Sequence, residues 1–330
     1  MAEPGPLPPS RDPAPAEAGA DFLTFVRRRP VYLAGYLIVG AVVAMAVVAP
    51  LLPLRSPVDA NAGVYLVAPS LAYPMGTDTA GLDIFSRVLH APRVDLAIAL
   101  FSTLLAALVG GLLGALLGLW DGRPGLKGLV AILAMRLSDI VQAFPVFALA
   151  LVLVAVLGQG VPSIVLAIGI VNIPVYLRLM RTQTLTIRTQ PYFEAATLAG
   201  AGDAYALARH VVPNALAVLL AQVAGGIGAA VLLTAGLSFI GAGVRAPTPE
   251  WGGMIANGFQ NVITGQWWPS VFPGLALALT IFGFSAIGAS IEAWCNPRER
   301  TRTSRREWAA FVAAHRSRRS ADARPGAATP

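Results

Sequence analysis

The chain has 330 residues, of which 56% are hydrophobic and only 12% are charged, and its mean hydropathy is +0.66. Soluble domains carry about 25% charged residues, so this composition excludes an ordinary soluble enzyme and a disordered protein. The single cysteine, Cys295, excludes an internal disulfide and a zinc site built from cysteines.

Long uncharged stretches predict an all-α integral membrane protein, because about 20 apolar residues span a bilayer as a helix. The first 30 residues are rich in proline and alanine and are predicted to form a disordered tail. A turn cluster from Gly158 to Pro162 divides one overlong stretch into two helices. The six predicted spanning helices cover 31–54, about 96–120, 130–156, 162–182, 211–244 and 272–291.

The segment between the last two helices is too polar to face lipid. It contains tryptophans and amides from Trp251 to Trp268. Tryptophan is enriched where a membrane meets water. The sequence therefore predicts a short interfacial or re-entrant segment here, with its tryptophans at the level of the lipid headgroups.

The basic residues orient the helices. With the N-terminus inside, 19 of the 24 lysines and arginines fall on inside segments and four on outside segments. Such a bias is typical of cytoplasmic loops, so both termini are predicted to be cytoplasmic. Residues 55–93 then form an extracytoplasmic loop, and 297–330 form a basic cytoplasmic tail. The basic tail is interpreted as an orientation and headgroup signal, and not as a nucleic-acid site.

Two features inside the predicted helices have a structural interpretation. Gly110, Gly114 and Gly118 share one helix face and predict close packing against another helix. Arg136 and Asp139 lie three residues apart, so they can pair. A proton or ion relay is the functional alternative for this pair, but a relay needs a chain of ionisable groups at membrane depth.

The stretch from 192 to 213 has the pattern of a docking surface for a cytoplasmic partner. Pro191 and Glu194 favour a helix start, and Gly200 and Gly202 favour a break. The predicted result is a short helix, a bend and a second amphipathic piece that ends at Pro213.

The same stretch resembles the EAA loop of ABC importer permeases. The resemblance rests on Glu194-Ala195-Ala196, then Gly200, then Val212-Pro213, with Val212 where the family usually has leucine. Further stretches are similar to the second-permease type of the dipeptide, oligopeptide and nickel importers. They are Gly76-Thr77-Asp78, Asp83 to Val88, Met135 to Asp139 with Phe144-Pro145, Leu237 to Gly241, and Pro247 to Gly252.

This resemblance covers about residues 25–297 and departs from the family at two places. Leu82 stands where the family usually has arginine, and 288–297 lack the usual end of the sixth helix, which is rich in glycine and aspartate. Both departures leave the solute open among dipeptides, oligopeptides, nickel and other small solutes.

The resemblance implies a type I ABC importer permease fold in a bacterial inner membrane. Residues 94–296 would form the shared transmembrane domain of five helices, with the EAA loop at 192–213. The implied partners are a homologous permease, two ATPase subunits that hold ATP and Mg²⁺, and an extracytoplasmic solute-binding protein facing 55–93 and 242–270. The chain itself would bind no cofactor or metal. The implied coupling residues are Glu194, Ala195, Ala196, Gly200, Asp203, His210 and Pro213.

Two other classes were weighed against an ABC permease. An intramembrane serine protease could use Ser238, in Gly236-Leu237-Ser238-Phe239, but the three histidines fall in loops or tails. A secondary transporter would be expected to show an inverted repeat or midplane ion ligands. The chain's own ATPase activity is excluded, because its only lysine, Lys127, does not lie in a phosphate-binding loop.

Overall fold

A computed structural model describes residues 22–295, and in that range the chain is helical. Val26–Glu292 form one compact unit, while Phe22 and Phe25 pack edge-on against Trp294 in a second unit. The helices are α1 (Phe22–Arg27), α2 (Pro30–Val48), α3 (Ile84–His90), α4 (Pro92–Trp120), α5 (Leu126–Ala143), α6 (Val146–Leu157), α7 (Val161–Arg188), α8 (Pro191–Leu198), α9 (Asp203–Ala206), α10 (Val212–Phe239), α11 (Trp251–Val262) and α12 (Trp268–Cys295).

Two of the predicted segments extend beyond the described residues. The basic tail at 297–330 lies wholly outside them. Of the tail predicted to be disordered, the structure describes only 22–30, and there it places α1. A 3-10 helix, Ala49–Leu51, prolongs α2, and a π-helical segment, Leu207–Val211, joins α9 to α10.

Helices α4 and α7 form the centre of the bundle. A Cβ atom on Gly110 would collide with the carbonyl oxygen of Ile173, and one on Gly114 with that of Leu177. One on Gly118 would lie 2.6 Å from Cβ of Thr184. The contacts advance in the same direction along both helices, so α4 and α7 run parallel, with their backbones closer than side chains would permit.

The chain between these two parallel helices must return across the bundle. This return is made by α5 and α6, which meet at an angle of 92°. The single straight helix predicted over 130–156 is therefore wrong. Phe144 is extended and Pro145 follows it, and a residue before proline is driven out of the helical region. Between residues 22 and 295, five helices are long and apolar enough to span a membrane, and the count rises to six if the bent pair is taken as one span.

Several predicted boundaries differ from the structure. The first helix was predicted to end at 54, but α2 ends at Val48 and its 3-10 extension at Leu51. α7 continues to Arg188, so Arg178, Arg181 and Arg188, which were assigned to a loop, lie on this helix. α10 ends at Phe239, five residues earlier than predicted. α12 begins at Trp268 and not near Phe272. The predicted short segment between these helices contains α11.

Candidate functional site

The EAA loop lies in the connection between α7 and α10. Its first helix, α8, is closed by Gly200. Gly200 has a φ of +87°, a left-handed conformation that glycine adopts without strain. Its N–H donates to the carbonyl of Thr197, and the N–H of Ala201 donates to that of Ala196. These bonds close the end of α8. Gly200 therefore has a backbone role that a residue with a side chain fills poorly.

One face of the EAA loop is buried against the bundle. Phe193 of α8, Ala206 of α9 and Val211 of the π-helical segment pack with Ala115 and Leu119 of α4. Val211 is fully buried. This apolar face fixes the loop to the centre of the molecule.

The second part of the loop is continuous with α10. The prediction that it ends at Pro213 is wrong, because the π-helical segment runs directly into α10 at Val212. Pro213 lies in the first turn of α10, where a missing N–H breaks no helical hydrogen bond. No irregular chain therefore separates this part of the loop from α10.

The opposite face of the loop is open. Glu194 and Ala195 are exposed and Ala196 is half-buried. Beside them lies a hollow of about 570 Å³. The ring of His210 lies 5.8–6.2 Å from three aromatic rings, which belong to Tyr192, Phe193 and Tyr205. The hollow is lined by Ala196, Ala199, Gly200, Ala201, Gly202, Tyr205 and His210.

Asp203 joins the EAA loop to the turn between α4 and α5. Its carboxylate accepts three hydrogen bonds, one from that turn and one from each of the two helix ends beside it. Trp120 Nε1 donates over 3.0 Å, Arg123 Nη1 over 2.7 Å and Lys127 Nζ over 2.6 Å. The sequence pattern indicates Asp203 but none of its partners. The lone lysine beside two turn glycines is the signal that could have identified them.

The Arg136–Asp139 pair has a third member. Arg136 Nη1 lies 3.8 Å from Asp139, whereas Arg178 Nη2 of α7 lies 3.0 Å from it. Asp139 therefore links α5 to α7 more closely than it pairs within its own helix. All three side chains are substantially exposed in the isolated chain.

At the other end of the bundle, the segments 55–91 and 245–268 pack together, and we refer to them as the cap. Buried Arg87 donates from Nη1 to the carbonyls of Pro57 and Pro247, at 2.8 and 2.9 Å. The indole N–H of Trp251 donates to Val88 and that of Trp268 to Thr77. Trp251 and Trp268 are buried in these contacts, so they pack within the cap and do not face lipid.

A buried carboxyl pair lies where the cap meets α4. Asp95 accepts the N–H of Trp251 at 3.2 Å and hydrogen-bonds to the side chain of Glu250. Glu250 caps α11 by accepting the N–H groups of Gly252 and Gly253 at 2.8 and 2.7 Å. Burial raises the pKa of Glu250 above its ordinary value. Sequence reasoning missed this pair, although a glutamate directly before a helix start is a capping signal.

The two departures from the family pattern fall at packed positions. Leu82 is buried in the cap, and its N–H donates to Asp78. Within 288–295, the Ser290 hydroxyl lies 3.0 Å from that of Tyr36. At Ser290, this stretch thus contacts α2.

The geometry does not support a protease centre at Ser238. This serine is buried near the far end of α10 from His210, about 40 Å along the helix at 1.5 Å per residue. His90 is engaged with Ser86 in α3. Within residues 22–295, no group of three or more His, Cys, Asp and Glu residues is placed to hold a metal ion.

Comparison with known proteins gives consistent matches. Residues 110–301 match the family described as binding-protein-dependent transport system inner membrane component. A probable D,D-dipeptide transport system permease, DdpC of Escherichia coli K12, is 35% identical over 280 residues, covering 85% of this chain and 92% of the relative. The dipeptide permease DppC of Alkalihalophilus pseudofirmus is 31% identical over 296 residues, covering 90% of this chain and 95% of the relative. A glutathione permease, GsiD of Escherichia coli, is 36% identical over 234 residues, covering 70% of this chain and 74% of the relative.

The matches agree with the helical membrane architecture and with the resemblance predicted from the sequence. They also displace the secondary-transporter and protease alternatives, because the relatives are transport permeases that extend over most of the chain. The chain belongs to the family of binding-protein-dependent transport system inner membrane components, and it is a multi-pass permease subunit of an ABC importer.

Proposed function

We propose that this permease imports short peptides or a related small solute. The support is that relatives named for D,D-dipeptides, dipeptides and glutathione each align with 70% or more of the chain. It pairs with a homologous permease, receives the solute from an extracytoplasmic binding protein and is driven by two ATPase subunits.

The observation that carries the coupling proposal is the two-faced EAA loop. Phe193 and Val211 face the bundle, whereas Glu194 and the hollow beside it are open to a partner. The ATPase binds this open face, with Glu194, Ala195, Ala196, Gly200 and His210 on its surface. ATP and Mg²⁺ bind the ATPase, because this chain's one lysine does not lie in a phosphate-binding loop.

Transport follows as a rigid-body movement. Closure of the ATPase dimer displaces the EAA loop, which is covalently continuous with α10 and separated from α7 by two residues. These helices then tilt and open the pathway to alternate sides of the membrane. The exposed side chains of Tyr65 and Leu71 on the cap face the solute-binding protein.

The test uses the importer assembled with its ATPase, partner permease and binding protein in proteoliposomes. Glu194→Ala combined with Gly200→Val is expected to abolish uptake and ATPase stimulation while leaving membrane insertion intact. The valine is strained at a φ of +87°, and the alanine removes the exposed carboxylate. Uptake by the unaltered importer is expected to require ATP and not a proton gradient.

The matched control combines Glu292→Gln with Gly40→Ala. Glu292 is exposed near the end of α12, and a Cβ atom on Gly40 would meet no neighbour within 4 Å. This control is expected to transport normally. Normal uptake by the Glu194 and Gly200 variant would refute the coupling assignment. Purification of the permease with no ATPase subunit bound to it would refute the proposed importer assembly.

A further inference from the structure

The turn between α4 and α5 is built to hold the EAA loop at Asp203. Gly122 and Gly125 adopt positive φ values of +73° and +79°, which give the turn its tight form. A Cβ atom on Gly128 would collide with the carbonyl oxygen of Arg123, so the start of α5 lies directly on the turn. Arg123 and Lys127 are thereby aimed at one carboxylate.

The carboxylate of Asp203 is the most heavily bonded one in the EAA loop. Its two oxygens share an indole N–H, a guanidinium and an ammonium group, at distances from 2.6 to 3.0 Å. Lys127 also lies 5.9 Å above the ring of Trp120. Bonds between charged groups are shorter than neutral ones, and these bonds join two parts of the chain that lie far apart in sequence.

The Asp203 contact attaches the EAA loop to α5, a helix that buries few side chains against the rest of the bundle. In α5 the buried residues are Gly128, Ala131 and Ser138, all of them small. The EAA loop is joined to α7 and α10 by the chain itself and to α4 by apolar packing. Among the described residues, its polar link to α5 is the ion pair between Lys127 and Asp203.

The far end of the α5–α6 crossing reaches the cap side of the molecule. Phe147 of α6 packs close to Gly236 of α10, and Gln159 after α6 donates to the carbonyl of Gly241 at 2.7 Å. A shift of α5 at the EAA loop is thus able to act at the opposite end of the bundle.

We propose that Asp203 is a positioning residue that transmits movement of the EAA loop to the α5–α6 crossing through Lys127 and Arg123. This path acts beside the covalent one through α7 and α10. It rests on the proposed function, because it needs a loop that an ATPase moves. The Asp203 contact makes the EAA loop and α5 move together.

If the contact served only to stabilise the fold, its removal would impair assembly of the importer and not its coupling. The Lys127 side chain is 54% exposed, and exposed ion pairs contribute little to folding stability. Removal of the pair should therefore leave assembly intact. Its effect should be seen in the number of solute molecules transported for each ATP hydrolysed.

The experiment compares Asp203→Asn, Lys127→Gln and both together in the assembled importer in proteoliposomes, using a dipeptide that its binding protein accepts. Asp203→Asn is expected to lower transport per ATP by at least about fivefold, the lower end of typical coupling between sites. The double variant should be no worse than Asp203→Asn, because both changes break one contact. Asp203→Glu keeps the charge and should recover most of the loss.

Glu292→Gln is the control for loss of an exposed carboxylate outside the loop. Normal transport per ATP in Asp203→Asn would overturn the inference. Should that variant fail to assemble, Arg123→Gln with Lys127→Gln leaves the loop unaltered, and normal coupling there overturns it equally. Failure of the proposed function is distinguishable, since the unaltered permease would then bind no ATPase at all.

Discussion

Asp95 and Glu250 show how single residues set the conditions under which the cap is stable. A hydrogen bond between two carboxyl groups requires one proton, and both residues are buried. Glu250 also caps α11, and Asp95 also accepts the N–H of Trp251. Loss of either side chain leaves buried donors without acceptors, which is more costly than the bond itself is stabilising.

We therefore expect Asp95→Asn to be nearly neutral, because an amide keeps the acceptor for Trp251 and donates to Glu250 without a proton. Asp95→Ala should lower the free energy of unfolding by about 1–3 kcal/mol, the usual effect of an unsatisfied buried group. Thermal unfolding of the purified permease in detergent measures both. Equal losses in the two variants would contradict this account.

The same variants test the pH dependence. Burial raises the folded-state pKa of Glu250 above 4.5, so the folded state holds more protons than the unfolded state above that pH. The stability contributed is complete below pH 4.5 and is lost as pH rises through the raised pKa. Asp95→Asn should flatten this decline, because an amide at this position cannot share a proton with Glu250. An unchanged slope would show that the pair does not share a proton.

At the scale of helices, the close contact between α4 and α7 depends on glycines, which have no side chain to hold the two backbones apart. A Cβ atom on Gly114 would collide with the Leu177 carbonyl, whereas one on Gly225 in α10 would meet nothing within 4 Å. We expect Gly114→Ala to force the helices apart and to cost about 1–3 kcal/mol, as overpacking usually does. Gly225→Ala is the control and should be neutral or slightly stabilising. The yield of folded permease and its unfolding midpoint in detergent measure the difference, and equal effects would refute the close approach.

The prolines show where sequence reasoning about elements stops. Pro145 ends α5, yet Pro174 lies inside α7 and Pro273 inside α12. In a membrane protein, neighbouring groups can satisfy the carbonyl that a proline frees. Local rules therefore permit either outcome, and packing between helices decides which one occurs. For that reason the apolar stretches were predictable, but the break in 130–156 was not.

At the scale of the whole molecule, hydropathy and the proportion of charge predicted a membrane bundle, and the family motifs indicated its class. The contacts that organise its two ends were beyond such reasoning. Lys127 and Asp203 are 76 residues apart, and Arg87 and Pro247 are 160 apart. Nothing in local periodicity reports which polar groups meet across such separations. The EAA loop was visible because its residues are contiguous, whereas its attachment to α5 required the structure.

The helical bundle makes a definite prediction about which side of the membrane each of its ends faces, and the lone cysteine makes it measurable. After Cys295→Ser, single cysteines at Leu198→Cys and Leu71→Cys place reporters on the EAA loop and on the cap, where both leucines are highly exposed. The positive-inside bias predicts that a membrane-impermeant maleimide labels the cap reporter in intact cells. The loop reporter should label only after the membrane is permeabilised. Labelling of both reporters from outside would contradict an odd number of membrane crossings between them. Labelling of the loop reporter alone would show that the orientation is the reverse of the predicted one.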